Sequence, residues 1–221
     1  MAAINTVLFD LDGTLIDTAP DMANALNLLL AEQDMAPLAF EHIRPVVSNG
    51  SVALVKLGFG AELDAQRLDY LKQRYLDIYQ QHLCEDSRLF EGMAELLEHI
   101  ENHDMRWGVV TNKPGWLTEP LMDMLALKQR ASCIVSGDTT ANRKPHPQPM
   151  YHACQCAGSQ PGGCVYIGDA RRDIEAGRNA GMQTVIALYG YIGDWENLDD
   201  WGADHRIDRA LDMIDLLNDA G

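Results

Sequence analysis

Asp10-Leu-Asp12-Gly13-Thr14 sets two carboxylates two residues apart at the end of the apolar run Thr6-Val-Leu-Phe. Residues two apart in extended backbone face one side, so both acids can converge on one reacting centre, one attacking while the other handles protons. Gly13 lets the backbone turn there and offer amide donors. A second acidic pair, Gly168-Asp169-Ala-Arg171-Arg172-Asp173, follows another apolar run and opens a helix, with Asp173 one helical turn beyond Asp169. Oxygen-rich carboxylate sites suit Mg²⁺, which keeps several waters and binds a phosphate oxygen. Lys144, in the proline-stiffened Arg143-Lys144-Pro145-His146-Pro147, sits on a fixed backbone that can aim one cation at a phosphoryl group and a carboxylate nucleophile. Thr111-Asn112, after Gly108-Val-Val110, can hold a phosphate oxygen by hydroxyl and backbone amide. Each feature also has a plainer use: a turn or metal-binding acid pair without catalysis, a helix cap by Asp169 with Asp173 in the first turn, a solvated lysine, a strand-ending turn.

The elements that must position these residues follow from periodicity. The run from Thr6 reads as a buried strand, and Asp17 or Thr18 can cap a helix with Pro20 in its first turn and Met22, Leu26, Leu29 and Leu30 on one face. No strand is expected from there to about Asp86, whereas 51–57 and 65–84 have helical spacing. Beyond Phe90 the pattern alternates: helix 93–102, strand 105–110, helix 116–125, strand 133–135, helix 149–157, strand 164–167, helix 172–180, strand 183–187 and a last helix from Ala210. The expected fold is therefore α/β, a Rossmann-like parallel sheet with helices on both faces, interrupted by an all-helical insert. Ligands of such sheets bind outside the carboxyl ends of the strands, and of the four candidate ends, Asp10 with Asp12, Thr111 with Asn112, Ser136 to Asp138 and Gly168 with Asp169, three carry an acid. That much charge in one cleft calls for a divalent cation.

The 221 residues carry 17 Lys and Arg against 33 Asp and Glu, a net charge of −16, so neither nucleic acid nor an anionic membrane surface is an expected partner. An apolar share of 47% and a charged share of 23% fit a folded globular chain. Five cysteines, an odd number without C-x-x-C, read as buried thiols of a reducing compartment rather than as a disulfide framework or a zinc site. No apolar run reaches the roughly 18 residues of a membrane span and the amino terminus is acidic, so the expected location is the cytoplasm. His99 and His103 stand i to i+4, as zinc ligands or as a solvated helix face. Arg171 and Arg172 either add positive potential beside Asp169 or lie exposed, and Trp195 and Trp201 flank an acidic loop, as core packing or a surface anchor rather than as a stacking platform for a ligand.

Asp10-x-Asp12-x-Thr14, Thr111, Lys144 and Gly168-Asp169-x-x-x-Asp173, in this order and across nearly the whole chain, resemble the haloacid dehalogenase-like (HAD) hydrolase superfamily. The insert after the first motif resembles the cap of its phosphoglycolate phosphatase and β-phosphoglucomutase branch. The resemblance implies a core of 1–16 and 87–221 with a helical cap over 17–86. It implies Asp10 as the nucleophile that becomes an aspartyl phosphate, and Asp12 as the acid that protonates the leaving oxygen and later acts as base toward water. Thr111 and Lys144 would hold the phosphate, with Asn112 beside them. Asp10, the backbone carbonyl of Asp12 and Asp169 would bind Mg²⁺, with Gly13, Thr14 and Asp173 as support. A dehalogenase is disfavoured by Asp12; a phosphomutase, a receiver-like phospho-acceptor and an inactive interaction protein remain as alternatives. The expected partner is a small phosphorylated metabolite, phosphoglycolate by default. The stretch Arg44-Pro45-Val-Val-Ser48-Asn49-Gly50 also resembles relatives acting on N-acetylmuramic acid 6-phosphate, with Arg44, Asn49 and Gly50 as residues that can touch the substrate beyond its phosphate.

Overall fold

The computed structural model describes residues 4–219. Six parallel strands form the central sheet: β1 (Thr6–Phe9), β4 (Arg106–Val110), β5 (Cys133–Val135), β6 (Cys164–Gly168), β7 (Gln183–Ala187) and β8 (His205–Ile207), in the order β5-β4-β1-β6-β7-β8. Alternate side chains feed opposite faces. Val7, Phe9, Val109, Val165 and Ile167 pack with α5 (Met93–Asn102), α6 (Gly115–Met124) and α9 (Asp212–Asp219), whereas Leu8, Val110, Val135 and Tyr166 pack with α7 (Gln148–Ala157) and α8 (Arg171–Ala180). Both faces are covered, which is why these strands read as continuous apolar runs.

Strand β1 is central, with β4 on one side and β6 on the other, and register pairs Phe9 with both Val109 and Ile167. Each strand then ends at an acid or hydroxyl residue: Asp10 follows Phe9 directly, Thr111 follows Val110 and Asp169 follows Gly168, all at the position where the strand order reverses.

Between the first strand and the rest of the sheet lie α1 (Ala19–Glu32), α2 (Phe40–Ile43), a 3-10 turn over Arg44–Asn49, α3 (Gly50–Phe59) and α4 (Ala65–Gln81). Met22, Leu26, Leu29 and Leu30 of α1 are buried as their spacing predicts, together with Leu54 and Val55 of α3 and Leu71, Tyr75, Ile78 and Tyr79 of α4. The chain leaves and re-enters the sheet domain at one place. There β2 (Ile16–Asp17) pairs antiparallel with β3 (Arg88–Leu89), and the buried Asp21 carboxylate accepts from the amides of Asp86 and Ser87. This two-residue ladder and β8 are strands the sequence pattern does not announce.

Candidate active site

Asp10 follows β1 directly, donating its amide to the Ile167 carbonyl at 2.8 Å, and its Oδ1 accepts from the Leu11 amide at 2.7 Å. Lys144 arrives from the loop between β5 and α7. Its Nζ lies 2.8 Å from Asp10 Oδ1 and 2.7 Å from Asp173 Oδ1, and donates to the Tyr166 hydroxyl at 2.8 Å. Asn112 fixes that loop with both ends of its amide: Nδ2 donates to the Lys144 carbonyl and Oδ1 accepts from the Lys144 amide, each at 3.0 Å. Its side chain is thus engaged with the lysine loop, leaving the backbone as its route to a phosphate. Thr111 is buried, and its Oγ1 accepts from the Lys113 amide at 3.1 Å.

Asp169 is held from four directions. Oδ2 accepts from Ser48 Oγ at 2.7 Å and the Tyr191 amide at 2.9 Å, while Thr14 Oγ1 donates to Oδ1 at 3.3 Å. Gly13 supplies the fourth: at φ +85° it lies so close that a Cβ there would stand 2.2 Å from Asp169 Oδ2. Asp173, in the first turn of α8, accepts from the Ala170 amide through Oδ2 at 3.0 Å.

Oxygens of Asp10, Asp169 and Asp173 lie within 4.8 Å of one another, and all three side chains are buried. Burial is the main force on Asp10; Lys144 opposes it, Asp173 and Asp169 add to it, and the carboxyl is pushed up to about 7. Asp169 is also raised, first by burial and then by Asp173, against the hydrogen bonds from Ser48 and Tyr191. Asp173 Oδ1 is ion-paired with the Lys144 ammonium and, among the described residues, has no hydrogen-bond partner. Three close carboxylates and an all-oxygen donor set, one oxygen of which makes no hydrogen bond among the described residues, fit a hard divalent cation such as Mg²⁺.

The Asp12 carboxylate stands apart from this trio. Its Oδ1 accepts from Thr18 Oγ1 at 2.7 Å and from Lys113 Nζ at 2.9 Å. A cavity of about 590 Å³ opens over these groups, lined by Asp10, Asp12 and Thr111 on the sheet side and by Asn49, Gly50 and Tyr75 on the insert side. Arg44 does not line it. Its guanidinium donates to the carbonyls of Tyr189 and Gly190 at 3.0 Å each and lies 5.0 Å from the centre of the Tyr191 ring, tying the insert to the loop after β7. Of the two neighbouring arginines, Arg171 is exposed and pairs with Glu175 at 2.8 Å, whereas Arg172 lines the cavity and donates to the Ser48 carbonyl at 2.6 Å. The rings of His99, half-buried on α5, and His103, at its C-cap, have centres 4.0 Å apart and are tilted by 31°, and among the described residues only the acidic trio forms a metal-ligating group.

Sequence reasoning does not reach Lys113, Tyr79 or Tyr191. Lys113 directly follows Thr111-Asn112, and that adjacency is the one signal available for it. Tyr191 has none: its hydroxyl accepts from the amides of Thr18 at 2.7 Å and Ala19 at 2.9 Å and meets Asp17 Oδ1 at 2.6 Å, closing the amino end of α1 from 172 residues away.

The family model described as haloacid dehalogenase-like hydrolase matches residues 7–187. The chain is 42% identical over 217 residues, 98% of this chain and 96% of the relative, to a protein of Pseudomonas aeruginosa named N-acetylmuramic acid 6-phosphate phosphatase. It is also 42% identical over 204 residues, 92% of this chain and 91% of the relative, to a Xanthomonas campestris protein named phosphoglycolate phosphatase. The crystal structure of a predicted phosphoglycolate phosphatase from Haemophilus somnus superposes with a TM-score of 0.85 at 27% identity, covering 98% of this chain and 99% of that one. With buried Asp10 and Asp169 just past the strand ends, Asp173 in the first turn of α8, a lysine ion-paired with the first of these acids and a family match across most of its length, the chain belongs to the haloacid dehalogenase-like hydrolases.

Proposed function

We propose that this protein is a Mg²⁺-dependent phosphatase that hydrolyses a sugar 6-phosphate of the N-acetylmuramic acid 6-phosphate type through a phosphorylated Asp10. The observation that carries the substrate class is the cavity. At about 590 Å³ it falls within the range of roughly 300–1,000 Å³ typical of sites that enclose a whole small-molecule ligand. Phosphoglycolate, with two carbons beyond its phosphorus-bound oxygen, would leave most of that space to water. The Pseudomonas aeruginosa relative, aligned over nearly the full length of both chains, supports the same choice. The Xanthomonas campestris relative supports phosphoglycolate as the second reading.

In this reading residues 17–86 act as the cap, and Asn49, Gly50 and Tyr75 read the sugar. Thr111, the Asn112 backbone amide and Lys144 hold the phosphate oxygens. An Asp10 oxygen attacks phosphorus in line, the bond from phosphorus to the sugar oxygen breaks, and Asp12 delivers its proton to that oxygen. Asp12, now a carboxylate, takes a proton from the water that attacks the aspartyl phosphate, which returns Asp10 and releases inorganic phosphate. Asp10, Asp169 and the Asp12 carbonyl would hold Mg²⁺, with Asp173 in support; bound there, the cation neutralises charge on the phosphate and keeps Asp10 ionised.

A panel of N-acetylmuramic acid 6-phosphate, glucose 6-phosphate and phosphoglycolate, ranked by kcat/KM, tests the assignment. The amino sugar phosphate is expected to exceed phosphoglycolate by about tenfold or more, because a filled cavity contributes binding that an empty one cannot. The reverse order would replace the substrate class. Phosphate release from all three substrates should stop on addition of EDTA and return with excess Mg²⁺.

A further inference from the structure

Lys113 is a buried lysine that neither the phosphate site nor the acidic trio uses. Its side chain is 5% exposed. The backbone that carries it is fixed on both sides: the amide donates to Thr111 Oγ1 at 3.1 Å, and the carbonyl accepts from the Gly137 amide at 2.8 Å and Thr118 Oγ1 at 3.2 Å. The ammonium donates to two groups from different parts of the chain. One is Asp12 Oδ1 at 2.9 Å; the other is the Tyr79 hydroxyl at 2.9 Å, with the Tyr79 ring centre 4.6 Å away. Tyr79 belongs to α4 of the helical insert and is itself buried.

Burying an ammonium is costly, and a hydrophobe of the same volume is often the more stable choice at such a position. A charge kept there must do something a methyl group cannot. Both hydrogen bonds to the Asp12 side chain, from Thr18 and from Lys113, fall on Oδ1. A carboxyl group fixed through one oxygen has its plane and rotamer set, and the other oxygen is left to carry the proton.

We propose that Lys113 and Tyr79 form a positioning pair for the proton donor: Lys113 holds Asp12 through Oδ1 so that Oδ2 meets the leaving oxygen, and Tyr79 makes that hold depend on the helical insert. This rests on the reading of Asp12 as the acid. When the bond from phosphorus to oxygen breaks, the leaving oxygen takes the proton from Asp12 Oδ2. The carboxylate so formed is matched by the Lys113 ammonium. Because Tyr79 comes from the insert and Asp12 from the sheet side, the acid is fully aligned only while α4 lies over the cleft.

The choice of leaving group separates positioning from packing. A sugar oxygen leaves as a strong base and needs the proton, whereas p-nitrophenolate leaves without one, and kcat/KM covers the steps through phosphoryl transfer. Lys113→Met is expected to lower kcat/KM for the sugar 6-phosphate by about 100-fold and for p-nitrophenyl phosphate by about fivefold. Tyr79→Phe removes a single oxygen and keeps the ring; it should show the same selectivity on a smaller scale, about tenfold against about twofold. If Lys113→Met does not fold, the Tyr79→Phe comparison decides. Equal losses on both substrates overturn the proposal, since a residue that merely shapes the cavity would affect both alike. Asp12→Ala distinguishes the two levels of inference. A selective loss in Asp12→Ala without one in Lys113→Met and Tyr79→Phe sinks the pair but keeps the acid, whereas a non-selective loss in Asp12→Ala removes the acid and the pair with it.

Discussion

Asp10 is under opposing pulls: burial, Asp173 and Asp169 favour its protonated form, while Lys144 and Arg172 favour the carboxylate that must attack. Asp10→Asn keeps the shape and removes the nucleophile. Turnover of the sugar 6-phosphate is expected to fall by about 10⁴-fold or more, with an unchanged far-UV circular dichroism spectrum. A variant that kept a tenth of the wild-type rate would exclude Asp10 as nucleophile. Asp10 and Asp169 are legible in the sequence because each closes an apolar run, and Asp173 because it stands one helical turn beyond Asp169. Lys113 is not legible in that way. It looks like any lysine after a strand, and the hydroxyl that completes its surroundings belongs to Tyr79, 34 residues earlier on α4. Asn112 shows a third case: its position is readable, but the two hydrogen bonds its side chain makes to the Lys144 loop are a tertiary fact.

At the scale of elements, the long strands and helices are readable because each repeats its pattern locally. Helix α4 has its apolar residues at helical spacing, and Asp64 accepts from the Arg67 amide at 2.8 Å at its start. Strand β8 covers three residues, with only Ile207 buried, and exists through its ladder to β7; so short a segment has no period to detect. The start of α1 departs from expectation for a related reason. Thr18 is its N-cap but makes no side-chain capping bond, because its hydroxyl is turned to Asp12. The Tyr191 hydroxyl accepts from the Thr18 and Ala19 amides, and Asp17, the other expected cap, accepts from the Ala19 amide through Oδ1 at 3.4 Å. Tyr191→Phe should therefore leave the Thr18 amide short of an acceptor and the Ala19 amide with only the 3.4 Å bond to Asp17 Oδ1, while keeping the ring beside Arg44. Loss of a helix cap costs about 1–2 kcal/mol, and in a chain of this size that is a fall in Tm of roughly 3–8 °C by differential scanning calorimetry. A change below about 1 °C would show that water caps this helix equally well.

For the molecule as a whole, the net charge of −16 and the acidic cleft are connected problems. A negative protein with three buried carboxylates in one place repels a phosphate ester, and two cations nearby, Lys144 and Arg172, do not balance the trio and an incoming dianion together. The sign of the pH dependence follows from the shifts. Asp10 is raised from 3.8 to about 7 in the fold, so the metal-free fold holds this proton more tightly than the unfolded chain does. The corresponding stabilisation is complete below about pH 4 and is lost as pH rises to about 7; Asp169, raised as well, acts in the same direction. With a divalent cation present the direction reverses, because the cation binds the ionised carboxylates and gains what the protons lose. The metal-free protein is thus expected to lose Tm between pH 5 and pH 8. Mg²⁺ at about a hundredfold excess over its Kd should raise Tm at pH 8 by roughly 5–10 °C, equivalent to about 3 kcal/mol, and at pH 5 by less than half of that. Thermal melts with EDTA and with MgCl₂ at both pH values read the difference directly, since titrations elsewhere in the protein cancel between the paired curves. Equal Mg²⁺ shifts at pH 5 and pH 8 would mean that the trio is not where the cation binds, and a missing shift at both would mean that the cleft holds its acids apart without one.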